Sequence, residues 1–246
     1  MKINSVTAMF LAGALPACLP GTCRPVQLAD VVEGIHIKAG SALSALVQLG
    51  KEKGICFGIE TTDTDMLNSP VSLEAENDTL GWVIHKVLPQ QRQYDVSVSD
   101  AVVLVRGIGS RVVRPQLDMI LPEFTIGPVT VRHASFVLHF FLVGIADPAL
   151  QGFAGDFSDR FPDDKVLLDE HGRSVREILT KIVSRSRSGA WIAGPCPMAE
   201  LGNSGLGCWE VLDYRDESNV LANDIGAFVA EQKRRLESSG TVPAKP

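Results

Sequence analysis

Val71–Leu88 recurs without a gap as Val166–Val183, at a constant offset of 95 residues from Val71 to Val166 and from Leu88 to Val183. The positions that agree are the ones that make structure: Leu73 with Leu168, Thr79 with Ser174, Val83 with Ile178, Val87 with Ile182. An internal repeat outranks local signals in deciding architecture, because each copy is one supersecondary unit. Two related units in tandem, neither carrying a catalytic motif, point to an interaction module before an enzyme.

Each copy reads as a strand, a turn and a capped helix. Val71, Leu73 and Ala75 alternate with polar residues, the period of a strand covered on one face. Thr79 follows the turn-prone Asn77-Asp78 and can accept a hydrogen bond from a free N–H at a helix start; Leu80, Val83, Ile84, Val87 and Leu88 supply the apolar stripe. In the second copy Ser174 is the cap, and Val175, Ile178, Leu179, Ile182 and Val183 are the stripe. Upstream, Ile35–Leu46 predicts a strand running into a helix capped by Ser41, with Leu43, Leu46 and Leu49 inside and Gly54 as the stop. Its counterpart places Phe124, Ile126, Val129 and Val131 in an extended stretch, with Ser135 capping a helix that bears Val137, Phe140 and Phe141. Hairpins close both units: Tyr94–Val98 turning at Ser99-Asp100 into Ala101–Val105, and Ala190–Ala193 returning through a long loop as Cys208–Tyr214.

The fold class is therefore α+β: two tandem β-α-β-α-β-β units whose helices pack on short mixed sheets, plus a C-terminal helix. The units span 33–107 and 123–214, joined by a Gly/Arg/Pro-rich linker at 108–122, with an insertion at 146–162 in the second. Residues 218–238 predict the terminal helix, on a stripe of Leu221, Ile225, Phe228 and Val229, and 239–246 a tail.

The first unit resembles the secretin and TonB short N-terminal domain. The residues that carry this are Ile37-Lys-Ala-Gly-Ser-Ala-Leu43-Ser-Ala45-Leu46, then Gly54-Ile55-Cys56-Phe57, Val71-Ser-Leu73, the Thr79-capped helix and Val102–Val105. The second unit is a more divergent related repeat without the Ala-Gly-x-Leu element. The resemblance implies a protein-docking role in the bacterial envelope, with a secretin, a TonB-dependent receptor or an inner-membrane regulator as partner.

Composition and the N-terminus agree with that compartment. At 246 residues and 45% apolar the chain can bury one or two small cores. A net charge of −6 offers no basic surface for nucleic acid. Lys2, the apolar Val6–Leu15 and a small-residue site at Ala12-Gly-Ala14 or at Leu15-Pro-Ala17 read as an export signal within 1–23, cleaved after one of these, with cleavage after Ala17 placing Cys18 first. Leu15-Pro16-Ala17-Cys18 looks like a lipoprotein box, in which Cys18 would be acylated and give the only membrane contact. Val137–Ile145, the most apolar later stretch, falls far short of the ~20 residues a bilayer needs.

Cys196 and Cys208 flank a Gly-rich loop, and an oxidising compartment favours bridging them; such a bridge would contribute about 3 kcal/mol. Free thiols remain the alternative, as does zinc, although two thiols without a histidine in the loop are half a site. Cys56, in an apolar strand, reads as a small core residue. His36, His85, His133, His139 and His171 lack metal-helix spacing, and no Gly-x-Ser-x-Gly elbow is present. Gly107-Ile-Gly109 lacks the third glycine of a dinucleotide loop, and Asp156, Asp159, Asp163 and Asp164 miss EF-hand spacing. No catalytic, cofactor or metal residue is assigned. The expected function is a periplasmic interaction or scaffold module that binds partners through strand edges. The alternative is an envelope hydrolase or small-ligand binder with a site between the units near Asp156, Asp159 and His171.

Overall fold

In the first repeat, β1 (Val31–Ala39) pairs antiparallel with β3 (Val71–Thr79), Val31 opposite Thr79 and Ala39 opposite Val71. The computed structural model describes residues 23–61, 64–91, 93–108, 115–146, 165–186, 189–194 and 209–214. Helix α1 (Ala42–Lys53) starts where the Ser44 N–H donates to the Ser41 hydroxyl at 3.1 Å, and it stops at Gly54, whose φ of 66° suits a residue without Cβ. Leu43, Leu46 and Leu49 are buried along it. Strand β2 (Cys56–Glu60) and the short α2 (Thr64–Asn68) follow, so this unit has one strand more than the β-α-β-α-β-β order expected. Thr79 caps α3 (Leu80–Val87) by accepting from the Trp82 N–H at 3.3 Å. β4 (Tyr94–Ser99) and β5 (Val102–Gly107) form the closing hairpin.

The second repeat reproduces this ladder as far as Ile126, beyond which its register shifts by one residue before Val129. β6 (Ile120–Thr130) pairs antiparallel with β7 (Lys165–Ser174), and Ile120 lies opposite the cap Ser174 as Val31 lies opposite the cap Thr79. Ile126 faces Leu168 as Ile37 faces Leu73. Helix α6 (Val175–Ser184) opens with a reciprocal box in which Ser174 accepts from the Glu177 N–H and Glu177 accepts from Ser174. The Ser174 N–H holds the Glu177 carboxyl below its ordinary pKa. β8 (Gly189–Ala193) and β9 (Trp209–Asp213) make the second hairpin.

Two expected boundaries move. Helix α5 (Val131–Ala146) begins before Ser135, which is buried in its second turn; Thr130 takes the capping role, accepting from the His133 N–H at 3.3 Å. The β-branched run Val129-Thr130-Val131 imitates a strand in sequence, while its last residue already starts the helix. The segment 108–122, expected as a linker, contains the short α4 (Pro115–Asp118) and the first residues of β6.

The largest departure concerns the sheets. The hairpins do not build separate ones: a single five-stranded sheet runs β4-β5-β2-β8-β9, and β2 pairs parallel with both β5 and β8. Alternation sends Phe57, Ile59, Val103, Val105, Ala190 and Ile192 to one face, beneath α1 and α3. Cys56, Val102, Trp191, Ala193, Trp209 and Val211 go to the other, beneath α5 and α6. The layers thus run ladder, helices, shared sheet, helices, ladder, with the two-stranded ladders β1-β3 and β6-β7 outermost. β2 is buried at every position, which is why it reads as a continuous apolar run. At Gly58 a Cβ would lie 2.5 Å from the Trp191 ring and 2.6 Å from Leu104, so only hydrogen fits where the second unit's tryptophan crosses the first unit's strand. Tyr214, just past β9, reaches into the first core beside Gly50.

The β4-β5 turn carries a small strain. Asp100 and Ala101 both have positive φ, 49° and 63°, the geometry that two-residue hairpins favour and that Cβ penalises. Ala101→Gly is expected to raise stability by about 1 kcal/mol, read as a higher urea midpoint at unchanged slope. A lower midpoint would show that the lost methyl contacts outweigh the relieved strain.

Candidate functional site

The histidines do not converge. His36 is exposed on β1, His85 on α3, and His171 on β7, where it meets Asp169 at 3.1 Å. His133 and His139 lie on α5, the latter edge-on to Trp209 with centroids 6.1 Å apart. Among the described residues no group of three or more His, Cys, Asp or Glu side chains could hold a metal, and no helix is long and apolar enough to cross a membrane. Cys18, Cys196, Cys208, Asp156, Asp159, the 146–162 insertion beyond Ala146 and the 218–238 segment lie outside the described residues.

Cys56 is corrected. It is buried as expected, but it is bonded to Cys23 rather than free. Cys23 falls within the stretch that reads as an export signal, so in sequence its partner 33 residues on has no evident mate.

Burial of His139 holds its imidazole below the ordinary pKa of 6.5. The unfolded chain therefore binds this proton more readily than the folded one, and His139 costs stability as pH falls below about 6.5 toward its lowered folded value. His139→Gln is expected to flatten that part of the stability-versus-pH curve, measured by urea unfolding at stepped pH. An unchanged slope would place the sensitivity in other groups.

The feature best suited to recognition is the outer edge of the shared sheet at β4. β4 pairs with β5 on one side, and no described strand pairs with its other side. Val96 rests partly buried on the first core, while Ser97, Val98 and Ser99 are exposed, Val98 at 37%. The edge thus offers an apolar row, Val96 and Val98, on one face and a polar row, Asp95 and Ser97, on the other. Asp95 is held by Arg106 across the hairpin at 2.6 Å.

Behind the polar row an ionic cluster joins the two units. Arg176 of α6 spans both oxygens of Glu60 at the end of β2, at 2.6 and 3.3 Å, and also binds Asp118 of α4. Glu60 is 5% exposed, so the arginine supplies hydrogen bonds that water does not. Burial lowers the Arg176 pKa, but the hydrogen bonds and charges of Glu60 and Asp118 outweigh it and raise the guanidinium above its usual value. A cavity of about 70 Å³ lies over Gly58, walled by Glu60, Arg176, Arg106, Ser97 and Leu104. Small-molecule pockets run to roughly 300–1,000 Å³, so this one suits a side-chain tip or a few waters.

Sequence reading supplied the hairpin but not the edge, because which strand lies outermost depends on sheet order. It also missed Glu60, Asp118 and Arg176, whose partners are 116 and 58 residues apart. Comparison with known proteins finds no family model, no curated protein and no solved structure that matches this chain.

Proposed function

We propose that this chain is a docking module of the bacterial envelope, related to the secretin and TonB short N-terminal domains, that holds an extended segment of a partner protein by adding it as a strand to β4. The observation that carries this reading is the β4 edge, which no described strand pairs on its outer side and whose Ser97, Val98 and Ser99 are exposed at the limit of a well-buried sheet. Two further facts support it. Apart from the added short α2, the strands and helices through 31–107 come in an order compatible with that resemblance. The Cys23–Cys56 bond suits the oxidising compartment to which the apparent export signal would send the chain. The partner is an envelope protein such as a secretin, a TonB-dependent receptor or an inner-membrane regulator.

Cross-linked affinity purification of the tagged chain from its native envelope is the test, run beside Val98→Lys. A lysine on an edge strand opposes pairing with a further strand. Stoichiometric capture by the wild type, reduced about tenfold in the variant, is the expected result, equivalent to roughly 1.4 kcal/mol of binding. The variant's folding stability should shift by no more than about 0.5 kcal/mol, since Val98 is at the surface. Equal capture of the same partner by both proteins would exclude the β4 edge as the interface.

A further inference from the structure

We infer that the strand accepted by β4 runs parallel to it, in the register that β2 takes on β8, an inference that rests on the docking reading above. The two hairpins are equivalent at side-chain level. In the first, Val96 pairs with Val105 and Val98 with Val103, all on the face turned to the first core. In the second, Trp191 pairs with Val211 and Ala193 with Trp209, all turned to the second core. The offset of 95 residues that relates the repeats carries Val96 to Trp191 and Val98 to Ala193, so β4 and β8 hold the same place in their units.

The outer edge of β8 is occupied. β2 of the first unit lies on it in parallel, with Phe57 opposite Ala190, Gly58 opposite Trp191, Ile59 opposite Ile192 and Glu60 opposite Ala193. The fold therefore contains a worked case of this hairpin receiving a strand from outside its own unit. Transferred to the first unit, the same register sets the occupant's residues opposite Asp95, Val96, Ser97 and Val98. Parallel pairing is slightly the weaker arrangement per residue, so nothing in strand addition alone would favour this direction.

Side-chain volumes then specify the occupant. On β8 the residue opposite Trp191 is Gly58, because the indole fills the space a Cβ would need. On β4 the corresponding residue is the smaller Val96, which leaves room for a β-branched side chain opposite it, with its apolar surface continuing the first core. The residues opposite Asp95 and Ser97 share the face with Arg106 and the small cavity, and are polar. The partner segment is thus an extended peptide that alternates apolar and polar residues and enters beside Asp95.

The probe is a synthetic peptide of residues 54–61 carrying Cys56→Ser, Phe57→Thr, Gly58→Val, Ile59→Thr and Glu60→Val, which sets polar residues opposite Asp95 and Ser97 and valines opposite Val96 and Val98; it bears a nitroxide at either end and is titrated into the full-length, isotope-labelled, oxidised protein. Saturable amide shifts at Asp95–Val98 are expected, with about tenfold tighter binding than the peptide that keeps glycine, the effect of burying roughly 1.4 kcal/mol of valine side chain. The N-terminal label should broaden Asp95 more than Ser99, and the C-terminal label the reverse. The opposite broadening order overturns the parallel register while leaving docking at β4 in place. Absence of shifts at β4 overturns the inference; if Val98→Lys also leaves envelope capture unchanged, the docking reading falls with it.

Discussion

Replacing Cys23 and Cys56 together by alanine is expected to cost about 4 kcal/mol of stability and to lower the melting temperature by roughly 10 °C. The first figure is the chain-entropy value for cross-linking residues 33 apart, and the second follows from the unfolding entropy of a chain this size. The bond sits where its loss would be felt. Cys56 opens β2, the strand shared by both units, and both cysteines are buried in the second unit's core. Cys23 also donates its N–H to the Ser184 carbonyl at the end of α6, at 2.9 Å. From there the chain crosses to the first unit, where the Leu28 and Asp30 carbonyls accept from Gly81 and Leu80 at the start of α3. One covalent link thus holds a strap that runs from the end of α6 in the second unit to the start of α3 in the first. Urea unfolding of oxidised, reduced and double-alanine protein measures the effect, and the reduced and double-alanine curves should coincide. A reduced protein that keeps the oxidised midpoint would show that packing alone holds the strap.

What the sequence revealed was local, and what it concealed was pairing between distant segments. Ser41, Thr79, Ser174 and Gly54 declared their helix ends because capping depends on residues within one turn. The alternation of Val71, Leu73 and Ala75 declared a strand with one covered face, and the repeat extended that reading to the second unit. Ser135 misled because its surroundings offer several capping side chains, and the choice of Thr130 is set by where the β6-β7 ladder ends. The shared sheet could not be read at all. A strand buried on both faces shows continuous apolar residues whichever neighbours it has, and parallel pairing across 133 positions, Phe57 with Ala190, has no turn residues to announce it. The β4 edge was hidden for the same reason, since Tyr94–Ser99 looks the same in sequence whether or not a strand lies beyond it.

Arg176→Met is expected to cost about 3 kcal/mol, far more than any exposed ion pair in this protein, because it strands the Glu60 carboxylate in the interior. Glu60 closes a strand that is buried at every position, and its side chain is only 6% exposed. The arginine meets it with two N–H donors from a helix of the other unit, and a methionine keeps the stem while removing both. Glu60→Gln should cost less, since a neutral amide can lose its partner without leaving a buried charge. The double variant with Arg176→Met should then recover much of the single loss, giving a coupling of about 1–3 kcal/mol in a double-mutant cycle. Asp118→Asn is the control: its side chain is 62% exposed, so water replaces much of what the arginine supplied, and a loss below about 1 kcal/mol is expected. Salt separates the two classes further, because a buried pair is screened much less than the half-exposed Asp95–Arg106 pair. If Arg176→Met and Asp118→Asn cost the same, the Glu60 contact is not what fixes α6 on the first unit's strand. If the expected ranking holds, one guanidinium sets the second unit's helix against the sheet that ends at β4, and loosening it should weaken partner capture without touching the edge itself.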